Sequence, residues 1–203
     1  MDMPLDALSD VSDEALLVLY ANGDRAAARA LTIRLTPRML AFAGRILGDR
    51  AEAEDVAQEA MLRLWRVAPD WRQGEAQVAT WLYRVASNLC TDRLRRRKRQ
   101  AATTLEDAPD LPDGAPGVVA ALIAGDRIRA LEAALAALPE RQRQAVVLRH
   151  IEGLGNPEIA AVMDIGVEAV ESLTARGKRA LTALLAGQRA ELGYEDDGHD
   201  ARQ

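Results

Sequence analysis

The chain predicts an all-α protein: two small helical domains joined by a flexible acidic linker, the second domain containing a helix-turn-helix. Three observations predict it. Hydrophobic residues make up 49% of the 203 positions while aromatics make up only 3%, and alanine and leucine dominate, so helix formers are abundant and strand signals weak. Apolar residues recur at helical spacing in two blocks, 25–99 and 118–186. Between them, residues 100–117 lose that period and hold three prolines and two glycines among acids, the composition of a solvated spacer.

Each element has a local reason. In the N-terminal segment, 1–24, Ser12 is placed to cap a helix over "DEALLVLYA" that stops near Asn22-Gly23. "DRAAARALTIRL" follows, and Pro37 restarts the chain into "RMLAFAGRILG", which Gly48 and Asp49 break. "AEAEDVAQEAMLRLWRVA" is amphipathic, with acids in its first turn and arginines in its last, as the helix dipole favours. A polar loop, "PDWRQGEAQ", leads to a long helix that is apolar early and basic late, "VATWLYRVASNLCTDRLRRRKRQ". In the second block a helix ends at Pro139, "ERQRQAVVLRHIEGL" forms the next, and Gly153 and Gly155 open a turn. "NPEIAAVMDIG" then starts with Asn156 as cap and proline at the first helical position. A last helix follows Gly166, and residues 187–203 form an acidic tail.

That last helix divides into two faces at about 100° per residue. Val170, Leu173, Thr174, Gly177, Leu181 and Leu184 fall on one side, able to pack on Ile159, Ala160 and Met163. Glu168, Glu171, Ser172, Arg176 and Arg179 fall on the other, with Lys178 at the margin. Two short helices joined by a glycine-containing turn fit a helix-turn-helix, whose second helix offers its polar face to the major groove. The same pattern also fits a plain helical hairpin with a solvated face.

The net charge of −5 conceals segregation. "RLRRRKR" places six cations in seven residues, which repel one another unless a polyanion is near, so phosphate contact is expected there. The linker, the tail and the start of the 51–68 helix are acidic. A single cysteine, Cys90, excludes an internal disulfide, and with only two histidines a cysteine-rich zinc site is excluded too. Cys90 sits in an apolar run and is expected in the core. There is no P-loop, no GxGxxG, no metal-ligand cluster and no nucleophile motif, so neither an enzyme nor a cofactor is expected. The acidic N-terminus lacks the features of a signal peptide, and no apolar run approaches the roughly 20 residues of a membrane span. A cytoplasmic protein without membrane insertion is expected.

Three stretches in this order, "AEAEDVAQEAMLRLWR" (51–66), "ATWLYRVASNLCTDRLRR" (79–96) and "LPERQRQAVVLRHIEGLGNPEIAAVMDIGVEAVESLTARGKRAL" (138–181), resemble extracytoplasmic-function sigma factors of bacterial RNA polymerase, in the sigma-70 superfamily. The resemblance covers about residues 25–185. It implies an alternative sigma factor: a non-catalytic, dissociable subunit for transcription initiation, with core RNA polymerase, promoter DNA and an anti-sigma factor as partners. The first block resembles region 2, which grips the polymerase β′ coiled coil and melts the −10 element. The second resembles region 4, which reads the −35 element and meets the β flap.

The resemblance implies polymerase contacts at Asp55, Gln58, Glu59, Arg63 and Trp65. It implies −10 contacts at Trp71, Trp81, Tyr83, Arg84, Asn88, Arg93, Arg95 and Arg96, with the loop around Trp71 capturing a flipped base. Aromatics interleaved with arginines suit single-stranded DNA, but Trp81 and Tyr83 at helical spacing fit a core position as well. It implies −35 contacts at Arg141, Arg149, Glu168, Glu171, Ser172, Arg176, Lys178 and Arg179, with Arg143 a further phosphate candidate. Gly166 stands where relatives often carry serine or threonine. A free-standing helix-turn-helix repressor is the competing reading, but it leaves the first block without a role, and the acidic chain opposes strong independent DNA affinity.

Overall fold

The computed structural model describes residues 8–72, 74, 77–103 and 119–186. Every regular element among them is helical. The first four helices are α1 (Asp13–Ala21), α2 (Arg25–Leu47), α3 (Arg50–Val67) and α4 (Val78–Thr103), with a 3-10 turn at Ala68–Asp70. The last four are α5 (Val119–Ala137), α6 (Glu140–Val146), α7 (Asn156–Met163) and α8 (Val167–Ala186), with one π-helical turn, Val147–Ile151, after α6.

Side-chain caps set the helix starts. Ser12 Oγ accepts from the Ala15 amide at 3.2 Å, Asp24 from Ala26 and Ala27 at 2.8 and 3.2 Å, and Asp49 from Glu52 at 2.9 Å. Gly48, at φ 66°, ends α2 in the left-handed conformation. Before α1, the Arg34 guanidinium receives the chain, donating to the carbonyls of Leu8, Ser9 and Val11 at 2.5, 2.5 and 2.6 Å. Leu8, Leu16 and Leu17 are fully buried, so this segment packs as part of the first bundle.

Three local expectations change. Pro37 does not restart a helix; it lies inside the continuous 23-residue α2. The ring removes one backbone hydrogen bond. The buried stripe Leu31, Leu35, Met39, Phe42 and Ile46 runs unbroken past it, and burying that stripe outweighs the lost bond. α4 runs through residues 100–103, read from sequence as linker, because Gln100, Ala101 and Ala102 are good helix formers. α7 is capped by the backbone at Gly155, not by Asn156; Glu158 reaches back to accept from the Gly155 amide at 2.6 Å. The rest of the expected linker, the acidic tail 187–203 and residues 1–7 lie outside the described residues.

Cys90 is buried as expected, and burial pushes its thiol pKa up to about 12. The core of the first bundle centres on Phe42, Leu64, Leu82 and Tyr83; that of the second on Leu135, Leu148, Ile159 and Val170. Buried residues of both belong to one contiguous cluster, and α7 packs against α4.

Candidate nucleic-acid interface

α7 and α8 meet at a tight turn. Asp164 adopts the left-handed conformation (φ 53°, ψ 55°), and its amide donates to Ala160. Asp tolerates this region better than most side chains. Gly166, by contrast, has no positive φ and open space around its α-carbon. Val170 is fully buried and Leu173 half-buried against the preceding helices, as the helical projection requires. Glu168, Glu171, Ser172, Arg176, Lys178 and Arg179 are all exposed, so the structure brings the whole polar face of α8 to the surface. Glu171 accepts from Asn156 Nδ2 at 3.3 Å, and Arg176 folds back on the Ser172 carbonyl at 3.2 Å.

Gly177 has a packing role. A Cβ there would lie 2.6 Å from Val146 Cγ2 and 3.2 Å from the Gln142 carbonyl oxygen. Glycine is what lets α8 cross α6 at this distance. The arginines before the helix-turn-helix are partly engaged within the fold. Arg141 reaches the Met163 carbonyl at 3.4 Å, and Arg149 donates to the Leu154 carbonyl at 3.0 Å; both remain exposed. Arg143 turns inward, donating to the carbonyls of Ile46, Ala136 and Leu138, and burial lowers its pKa. It is bound to backbone rather than presented to a phosphate.

On α4 the expected DNA-facing residues separate. Arg84, Asn88 and Arg95 are exposed on one stripe, at i, i+4 and i+11. Arg96 is exposed beside it. Arg93 instead pairs with Asp55 at 3.4 Å, and Arg97 with Glu52 at 3.0 Å and Asp49 at 3.4 Å, while Lys98 reaches Glu140 at 3.4 Å. The basic run thus loses part of its self-repulsion to acids of α3 and α6, so its phosphate-seeking portion is narrower than the sequence suggests. Tyr83 does not face outward at all. It is fully buried edge-on to Phe42, ring centroids 5.4 Å apart, and its hydroxyl donates to Glu152. Burial and the Glu152 carboxylate raise its pKa. Trp81 is half-buried and packs edge-on to Trp71, centroids 5.9 Å apart; the Trp71 indole N–H has no hydrogen-bond partner among the described residues.

On α3, Gln58 is exposed, and Glu59 accepts from Arg63 at 2.8 Å with Arg66 at 3.9 Å. The Arg63 hydrogen bond holds the Glu59 carboxyl below its ordinary pKa. Trp65 is half-buried against Tyr20, centroids 4.7 Å apart, and edges an apolar cleft of about 370 Å³ with Leu40, Met61 and Leu62. Sequence reasoning missed a second apolar cleft, of about 330 Å³, between Leu131, Leu135, Ile151, Leu181 and Leu185. Its only signal was the lower half of α8, where apolar residues continue beyond the stretch that packs on α7.

This arrangement defines a class: an all-helical protein with a helix-turn-helix whose polar second face is exposed and a second helix, α4, that carries an exposed cationic stripe. The Sigma-70 region 2 family matches residues 31–100 and the Sigma-70 region 4 family residues 128–181. The ECF RNA polymerase sigma factor SigM of Mycobacterium tuberculosis H37Rv is 34% identical over 95% of this chain and 90% of its own. The RNA polymerase sigma-H factor of Pseudomonas aeruginosa is 31% identical over 88% of this chain and 96% of its own. Among solved structures, CnrH in complex with the cytosolic domain of CnrY is 27% identical, with a TM-score of 0.62 over 86% of this chain and 97% of that chain. The sigma factor RpoE with the anti-sigma factor NepR from Bartonella quintana shares the fold, with a TM-score of 0.64 at 20% identity over 78% of this chain and 96% of that chain. The chain belongs to the extracytoplasmic-function sigma factors of the sigma-70 family, and it directs RNA polymerase to promoters.

Proposed function

We propose that residues 25–99 and 118–186 divide the work of a cytoplasmic, non-catalytic specificity subunit that alternates between core polymerase and an anti-sigma factor. The exposed face of α8 reads the −35 element through Glu168, Glu171, Ser172, Arg176 and Arg179, with Lys178, Arg141 and Arg149 on flanking phosphates. Arginine supplies bidentate donors to guanine, and a glutamate can accept from cytosine N4. Arg84, Asn88, Arg95 and Arg96 contact the −10 strand, and Trp71 with Trp81 forms the wall on which a flipped base stacks. Gln58, Glu59, Arg63 and Trp65, beside the apolar cleft on α3, bind the β′ coiled coil. The cleft on α5 and α8 receives the β flap. No described helix is long and apolar enough to cross a membrane, which accords with a cytoplasmic place of action. The complex of a sigma factor with the anti-sigma factor NepR among the structural relatives motivates the anti-sigma partner.

The observation that carries this reading is the complete exposure of the α8 polar face on a buried Val170 and Gly177 seam. In vitro transcription with core polymerase and a promoter library tests it. Factor-dependent starts whose −35 sequences shift when α8 is altered are expected; starts indifferent to α8 would sink the assignment.

A further inference from the structure

We propose that the acidic segment after α8 is an internal occupant of the apolar cleft between α5 and α8: it turns back at Gly187, seats Leu192 and Tyr194 in the cleft and sets its carboxylates against Lys178. The proposal rests on the assignment of this cleft to the polymerase, and it gives that contact an intramolecular competitor.

The cleft is an uncovered seam. On α5, Ile128, Leu131 and Leu135 share a stripe at i, i+3 and i+7, and on α8 Leu181 and Leu185 stand at i and i+4. Leu135 is buried, but exposure rises along the α5 stripe through Leu131 to Ile128, which is 57% exposed. Ile151, at the end of the π-helical turn, is 37% exposed. Contiguous apolar surface left open in this way is what a partner covers. No acid lines the cleft among the described residues; its ionisable side chains, His150 and Lys178, are both exposed. An apolar floor with a cationic rim selects a segment in which apolar anchors are followed by carboxylates.

The chain supplies that pattern where α8 stops. Leu185, part of the cleft wall, stands one residue before the end of α8, and the sequence continues as "GQRAELGYEDDGHDARQ" over 187–203. Leu192 and Tyr194 are the large apolar residues of this segment, and at i and i+2 they share one side of an extended strand of chain. Glu195, Asp196 and Asp197 follow at once, and the whole segment holds five acids against two arginines. Its reach is sufficient. α8 rises roughly 10 Å from Leu185 to Lys178 at 1.5 Å per residue, whereas residues 187–194 extend to about 25 Å. Gly187 directly follows α8, the place where glycine lets a chain reverse. A short tether holds the segment at a local concentration on the order of millimolar, so a contact of only millimolar strength is about half occupied. A competitor's apparent affinity then falls with the free fraction of the cleft.

Photo-crosslinking in the full-length chain tests the docking. Tyr194→p-benzoylphenylalanine, irradiated in dilute solution, should crosslink within the chain to residues 128–135, Ile151 and 178–185, mapped by mass spectrometry. Lys178→Glu should cut that yield roughly threefold, and Leu192→Ser should also lower it. Adding Glu195→Lys, Asp196→Lys and Asp197→Lys to Lys178→Glu should restore the yield, which a general folding defect would not allow. Crosslinks spread over other surfaces, or a yield indifferent to both Lys178→Glu and Leu192→Ser, overturn the proposal. Crosslinks between chains that vanish on dilution overturn it in favour of a second copy in the cleft. Competition is read by titrating core RNA polymerase with the full-length double variant Leu192→Ser, Tyr194→Ser, which should bind about two- to tenfold tighter than wild type. Cleft crosslinks with unchanged polymerase affinity uphold the docked segment and remove the cleft from the polymerase interface, so the two readings fail separately.

Discussion

α4 and α8 are both directed at DNA in the proposed reading, yet the fold treats them oppositely. α8 packs through a narrow seam of Val170, Gly177 and the half-buried Leu173, and leaves its whole polar face in solvent. α4 is gripped on several sides: Leu82 and Cys90 face its own bundle, Arg93 and Arg97 pair with α3, and Tyr83 and Thr91 bond to the other half of the molecule. The difference teaches that cationic side chains in sequence are not equivalent to cationic surface. α8 has few charges and exposes nearly all of them, while α4 has many and withholds a good part.

The comparison is broken most severely by closing the α8 seam. Gly177→Val should destabilise the second bundle by about 1–3 kcal/mol, because the new side chain meets Val146 and the Gln142 backbone, which has no freedom to retreat. Thermal unfolding checks it; an unchanged midpoint would mean that α8 sits farther from α6. Next comes the reading face itself. Arg176→Ala should weaken −35 binding by about 1–3 kcal/mol and relax preference at one base pair, measured by binding to a set of singly altered duplexes.

Glu171→Ala sharpens the question of what acids do on a DNA-directed helix. Promoter preference should shift at one or two −35 positions with stability unchanged, since the carboxylate holds Asn156 at 3.3 Å on the exposed surface. Preference that stays put in a library selection makes Glu171 a solvated residue. On α4, Arg95→Ala and Arg93→Ala divide the basic run. Arg95→Ala should reduce the salt slope of DNA binding by about 1, while Arg93→Ala, already paired with Asp55, should change it less. Equal slopes would show that the Asp55 pair opens on binding. The smallest effect is expected at the start of α8. Gly166→Ser has room and a permissive backbone, and should stabilise the helix by a few tenths of a kcal/mol through a side-chain cap, seen as a slightly higher unfolding midpoint.

Sequence alone determined the helical content, the cap at Ser12, the break at Gly48, the burial of Cys90 and the two faces of α8. These are short-range matters: a cap bonds within three residues, and a face repeats every 3.6. The unity of α2 across Pro37, the Glu152 partner of Tyr83, the inward turn of Arg143, the pairing of Arg93 with Asp55 and the reason for Gly177 came only from tertiary structure. Each depends on a partner far along the chain or on a core that outweighs a local penalty. Glu152 is the clearest case, an unremarkable acid beside a glycine in sequence, which meets Arg45 and Tyr83 only because α7 packs on α4.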